Sequence, residues 1–374
     1  MSSTELRKQI MSGVRSLVVK VGTALLTGDD GQLDRALISR LVKQIATLRE
    51  QGILVTFVSS GAVGAGIGIT GQARRPRHMP VLQATAAIGQ PALMAIYAKE
   101  FAKYGLFVGQ VLVGRHDFEE RIRYVNISNT IAALHRLNAV PIINENDTVS
   151  VEELDRFADN DTIAALLTNL IQADLMVILT TVDGLLDTAG QRVDLVTQVA
   201  DVQSLVRTDR SKLGSGGMTA KLGSTRFVTD AGEPAVIANG RTPNVLLRLL
   251  AGEKIGTVFA PAPKRMAARQ RWLMSAVRPA GSITVDAGAV RALTTNGKSL
   301  LASGVTAIKG KFDRGEVVSV TTPEGQPIAQ GICNYSSAEL EQIKGLKSAQ
   351  IATRLGHKAS EVIHRDNLVL IIRK

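Results

Sequence analysis

Apolar residues along this chain fall in short blocks of two periods, and the blocks alternate. Ser16–Val21 (SLVVKV) is a β-rich run that ends at Gly22, which predicts a first strand. Leu37–Glu50 carries apolar residues at helical spacing and stops before Gly52, which predicts a helix. Ile53–Val58 (ILVTFV) predicts a second buried strand, opening into the glycine-rich Ser59–Gly66. Phe107–Val113, Val140–Ile143, Leu175–Leu179 and Val236–Ala238 predict further strands, the last behind a helix over Ala220–Ala231. Strands alternating with helices imply an α/β fold: an open, mostly parallel sheet sandwiched by helices.

From about Gly281 the texture changes. Ser282–Val285, Val305–Ile308, Val317–Val320, Ile328–Ile332 and Asn367–Ile372 are short apolar pieces punctuated by glycines, which predicts a small mixed-β domain. The expected divisions are 1–262, a linker over 263–280, and 281–374. Residues 53–73 are uncharged, but their Ser59-Ser60 and glycines fit a strand, a loop and a helix start better than a membrane span.

Aromatic residues make up 3% of the chain, so Ala, Val, Ile and Leu must build the core, as suits strands buried on both faces. The single cysteine, Cys333, excludes an intrachain disulfide, and Met1–Gly13 lacks the apolar stretch of a signal peptide. A cytoplasmic location is expected. The net charge of +11 is uneven: residues 262–374 hold 17 Lys and Arg against 8 Asp and Glu, leaving 27 against 25 elsewhere. A basic tail of that kind admits nucleic acid or acidic ligands as partners.

Ligands of open α/β sheets bind beyond the C-terminal ends of the strands, and four such loops are chemically rich. Gly22 and Thr23, then Ser60 and Gly61, offer backbone N–H groups to an anion. Asn144-Glu145-Asn146-Asp147 and Asp159-Asn160-Asp161 place carboxylates and amides beyond a buried strand, suited to Mg²⁺ on a nucleotide, to lysines or to an ammonium group. Gly214–Lys221 sets glycines before a lysine without the GK[ST] ending of a Walker A loop. Lys20 and Lys221 supply the positive charge that phosphoryl transfer needs. A GxGxxG at Gly66, Gly68 and Gly71 lies well past the strand end and lacks an acidic partner. The five histidines are scattered without ligand spacing, and no GxSxG elbow surrounds Ser60.

Val18–Thr27, Val58–Gly66, Ile143–Val149, Phe157–Ala165, Leu179–Leu185 and Gly214–Leu222 together resemble the glutamate 5-kinase branch of the amino acid kinase family. The tail resembles a PUA domain. The resemblance implies that Lys20 and Lys221 stabilise a transferring phosphoryl group and that Asp159 organises both. It implies glutamate binding by Ser60, Asp147 and Asn160, with Asn144 and Asp161 close by. ATP would meet Lys20, Gly22, Thr180, Thr181 and the run Ser215, Gly216, Gly217, Met218, Thr219, Ala220, Lys221. Mg²⁺, proline as feedback inhibitor, and a homodimer or tetramer also follow from the resemblance, and Mg²⁺ is held either by protein carboxylates or by ATP alone. Thr181, Ala158 and Thr219-Ala220 depart from the residues usual in the family. Two alternatives stand beside this reading: a kinase for another acidic amino acid, and an RNA-binding protein with a vestigial kinase domain.

Overall fold

The computed structural model describes residues 2–28, 32–149, 160–205, 217–263, 265–275, 279–355 and 361–371. Two compact units emerge, residues 1–117 with 121–265, and 118–120 with 266–374.

The first unit runs α1 (Ser3–Ser12), β1 (Ser16–Val21), α2 (Thr23–Leu26), α3 (Arg35–Glu50), β2 (Leu54–Ser59), α4 (Ala62–Thr70), α5 (Met79–Ala102), β3 (Phe107–Val113), α6 (His116–Glu119), α7 (Arg121–Arg136), β4 (Ala139–Glu145), α8 (Asn160–Ile171), β5 (Leu175–Thr180), β6 (Leu195–Val196), α9 (Met218–Ala231), β7 (Ala235–Asn239), α10 (Val245–Leu250) and β8 (Thr257–Phe259). Its eight strands form one sheet in the order β3-β4-β2-β1-β5-β7-β8-β6. Among the described residues, only the β7–β8 pairing of this sheet is antiparallel. The expected parallel sheet is therefore present, with β1 at its centre between β2 and β5.

Alternation along β1 decides which face each side chain serves. Leu17, Val19 and Val21 join a core cluster with Leu37, Ile38 and Leu41 of α3 and Leu93, Tyr97 and Phe101 of α5. Val18 and Lys20 face the other way, and Lys20 meets the first turn of α8. The sequence 53–73 forms β2, a loop and α4, as its pattern implied. The GxGxxG within it is a packing device at its first glycine: a Cβ on Gly66 would lie 1.9 Å from the Thr85 carbonyl oxygen of α5. Helix α5 is long and apolar enough to cross a membrane by length and composition, yet Thr85, Ala86, Gly89, Leu93, Tyr97 and Phe101 are buried.

The second unit contains α11 (Ala268–Ser275), β9 (Gly281–Val285), α12 (Ala287–Thr294), β10 (Val305–Lys309), β11 (Val317–Thr321), β12 (Pro327–Ile332), α13 (Ser337–Ile343), α14 (Ser348–Leu355) and β13 (Leu368–Leu370). The strands form a mixed sheet, β10-β9-β11-β12-β13, parallel only between β9 and β11. The stretch expected as a linker carries α11, whose Arg271, Trp272 and Leu273 are buried. Cys333 lies in this unit's core, where burial pushes its thiol up to about 11.

Candidate active site

The C-terminal ends of β1, β2, β4 and β5 carry Lys20, Gly22, Ser60, Asn144, Asp147, Thr180 and Thr181. Lys20 is 3% exposed, and its Nζ lies 2.6 Å from Asp161 Oδ1. Lys221, in the first turn of α9, places its Nζ 3.2 Å from Asp161 Oδ2. One carboxylate, fully buried, thus receives two ammonium groups. Burial alone would raise the Asp161 carboxyl, but the charges of Lys20 and Lys221 outweigh it and hold it below the ordinary carboxylate range. The cluster carries one net positive charge.

Asp161, which the sequence had placed beside the substrate, is the carboxylate that stands between the two lysines. Asp159, Ser215 and Gly216 lie outside the described residues. Asn160 and Asp161 are adjacent on α8 and so point to different sides of it. Asp161 faces the lysines, and Asn160 faces Ser60 and Asn144.

Asn160 instead enters an amide cluster. Its Nδ2 donates to Ser60 Oγ at 2.8 Å and to Asn144 Oδ1 at 3.0 Å. Asn144 Nδ2 in turn donates to Gln90 Oε1 of α5 at 2.9 Å. Asn160 Oδ1 is buried with no hydrogen-bond partner among the described residues. The structure therefore brings together Ser60, Asn144 and Asn160 as expected, and adds Gln90, which no local pattern marks. Asp147 follows β4 in a turn, and burial raises its carboxyl against the opposing charge of Arg75.

The loop that holds Ser60 is braced from below. Ser59 Oγ donates to the Ser60 carbonyl at 2.9 Å, so the Tyr97 hydroxyl donates to Ser59 Oγ at 2.7 Å. Gly61 has φ +111°, a conformation glycine adopts at little cost, and its carbonyl opens α4.

Glycines flank the lysines. A Cβ on Gly22 would meet Lys20 Nζ at 3.4 Å, so glycine keeps the space over the ammonium free. Gly217 caps α9, and Met218, Thr219 and Ala220 form its first turn with Lys221. Thr180 ends β5 half-buried, its carbonyl accepting from Gly240 N at 2.9 Å, and Thr181 is exposed beyond it. Helix termini and glycine turns of this kind bind phosphate. Among the described residues, no three His, Cys, Asp or Glu side chains converge to hold a metal ion.

The sequence profile of the amino acid kinase family matches residues 15–239, and that of the PUA domain matches residues 281–355. The chain is 44% identical over 365 residues to the glutamate 5-kinase of Caldanaerobacter subterraneus subsp. tengcongensis, covering 96% of this chain and 98% of that one. It is 45% identical over 376 residues to the glutamate 5-kinase of Desulfotalea psychrophila, covering 98% of this chain and 100% of that one. A solved carbamate kinase from Giardia lamblia bound to AMP-PNP covers 67% of this chain at 18% identity, with a TM-score of 0.48.

Proposed function

Because the chain belongs to the amino acid kinase family, we propose that it is an ATP-dependent phosphotransferase that moves the γ-phosphoryl group of ATP to the γ-carboxylate of L-glutamate. The product is L-glutamyl 5-phosphate, the first intermediate of proline synthesis. The observation that carries the chemistry is the pair of lysines on one buried carboxylate.

A glutamate γ-carboxylate is ionised at neutral pH and needs no base to become a nucleophile. Its oxygen forms the new bond to phosphorus while the bond from phosphorus to the β,γ-bridging oxygen breaks, and ADP leaves. Charge spreads over the equatorial oxygens in that transition state, and fixed cations there lower the barrier. Lys20 and Lys221 supply those cations, and Asp161 keeps their side chains converged before ATP arrives. Gly22, Gly217 and the first turn of α9 cradle the phosphates, with Thr180, Thr181, Ser215 and Gly216 on the nucleotide side. Mg²⁺ enters as part of the nucleotide substrate. Ser60, Asn144, Asp147 and Asn160 bind glutamate, and the bare Asn160 Oδ1 is an acceptor for its ammonium group.

Release of ADP on adding glutamate, aspartate or N-acetylglutamate tests the assignment. Turnover with glutamate alone supports it, and equal turnover with all three acids contradicts the substrate.

Proline as feedback inhibitor and a cytoplasmic location complete this reading. A homodimer or tetramer is supported by an exposed apolar stripe on α5, where Val81, Ala84, Ile88, Pro91 and Ala95 recur at helical spacing. The PUA match and the basic charge of residues 262–374 favour RNA as a further partner, tested by binding whose affinity falls as salt rises.

A further inference from the structure

Gln90 follows Gly89 in α5, and its contact with the amide cluster has a defined polarity. The backbone N–H of Glu145 can only donate, so the Asn144 atom 2.9 Å from it is Oδ1. The other end of Asn144 is then the amide nitrogen, which donates to Gln90 Oε1. Asn144 Oδ1 takes a second donor, Asn160 Nδ2. Asn160 must accordingly present its oxygen to the remaining side, where Oδ1 is buried and unpartnered among the described residues. A buried carbonyl oxygen left bare is costly unless a ligand brings a donor.

We propose that Gln90 is a positioning residue for this substrate pocket. It holds Asn144 in the one orientation that leaves the Asn160 carbonyl oxygen open to the α-ammonium of the amino-acid substrate, a role that rests on glutamate being the phosphoryl acceptor. Asn144 is 3% exposed, so without the Gln90 acceptor its amide nitrogen has no water to turn to. Rotating Asn144 to find another partner would break its bonds to Glu145 N and Asn160. Flipping it in place would set two donors against each other at Glu145. The depth of Gln90 is set by its neighbour: a Cβ on Gly89 would lie 1.9 Å from the Ala62 carbonyl oxygen and 2.3 Å from Gly66 N. That close approach of α5 to α4 is what lets the next side chain reach Asn144.

The test is a full kinetic description of the whole enzyme and of Gln90→Met and Gln90→Glu, varying glutamate and ATP separately. Loss of one hydrogen bond to a buried amide is expected to raise KM for glutamate about tenfold in Gln90→Met, with kcat and KM for ATP within about twofold. Gln90→Glu keeps an acceptor oxygen and is expected to restore most of that loss. An unchanged KM for glutamate in Gln90→Met, equal rises in both KM values, or a Gln90→Glu as impaired as Gln90→Met would each overturn the role. Should Gln90→Met not fold, Gln90→Ala carries the same expectation. A parent enzyme inactive with glutamate sinks the substrate assignment and this role together. An active parent with an indifferent Gln90→Met sinks this role alone.

Discussion

Gly89 of α5 and Ala62 of α4 are in backbone contact: a methyl group on Gly89 would fall 1.9 Å from the Ala62 carbonyl oxygen. Neither partner is a flexible side-chain end, so the helices themselves would have to part. Gly89→Ala is expected to cost about 3 kcal/mol, at the upper end for overpacking, measured by denaturant unfolding. Because α4 starts beside Ser60, the same change should weaken glutamate binding. A loss of stability under about 0.5 kcal/mol, the range of an indifferent surface change, would contradict the contact.

Removing the shared carboxylate should damage both activity and stability. Asp161→Asn leaves Lys20 and Lys221 facing each other without an anion, and is expected to lower kcat about a hundredfold. It should also destabilise the fold by roughly 3 kcal/mol, as breaking buried ion pairs does. The pH dependence has a definite sign. The Asp161 carboxyl is held below its ordinary 3.8, so its stabilisation is present above that value and is lost as pH falls through the lower, folded-state value. Acid titration of the parent and of Asp161→Asn by circular dichroism checks this, with the variant lacking that acid-side loss.

A second titration sits at His135, near the end of α7. Arg49 Nη1 donates to His135 Nδ1 at 3.3 Å, so Nε2 carries the proton that meets Thr56 Oγ1 at 3.2 Å. Burial first, and the Arg49 charge second, push His135 down to about 4 from its ordinary 6.5. Between those values the unfolded chain binds a proton here and the folded chain does not. Stability therefore falls as pH falls from 6.5 towards 4, and above 6.5 the histidine contributes no slope. His135→Gln removes the titration, so its melting temperature should drop less than the parent's between neutral pH and about pH 4.5. Equal drops would place the acid sensitivity elsewhere.

The expected strands of the parallel sheet were legible because β1, β2, β4, β5 and β7 are apolar on both faces, and such runs stand out between helical patterns. Strands β6 and β8 escaped notice because two and three residues are too few to show a period. In the second unit the glycine-spaced strands were visible, whereas α12 and α13, at eight and seven residues, were lost among turn-like sequence. The site divides the same way. Lys20, Ser60, Asn144, Asn160 and Lys221 sit at strand ends or helix starts, where position alone implies a ligand. That Asp161 would stand between the lysines was not legible, because two carboxylates flank Asn160 and composition does not say which way either points. Gln90 lies in mid-helix, and only the depth set by Gly89 brings it to the pocket.

The most direct test of the account is trapping the acyl phosphate with hydroxylamine, for the parent and Lys221→Ala, supplied with Mg²⁺, ATP and each acid in turn. The account predicts hydroxamate from glutamate, none from aspartate or N-acetylglutamate, and loss of the glutamate signal in Lys221→Ala. No hydroxamate from any of the three acids, or an undiminished signal in Lys221→Ala, would contradict it.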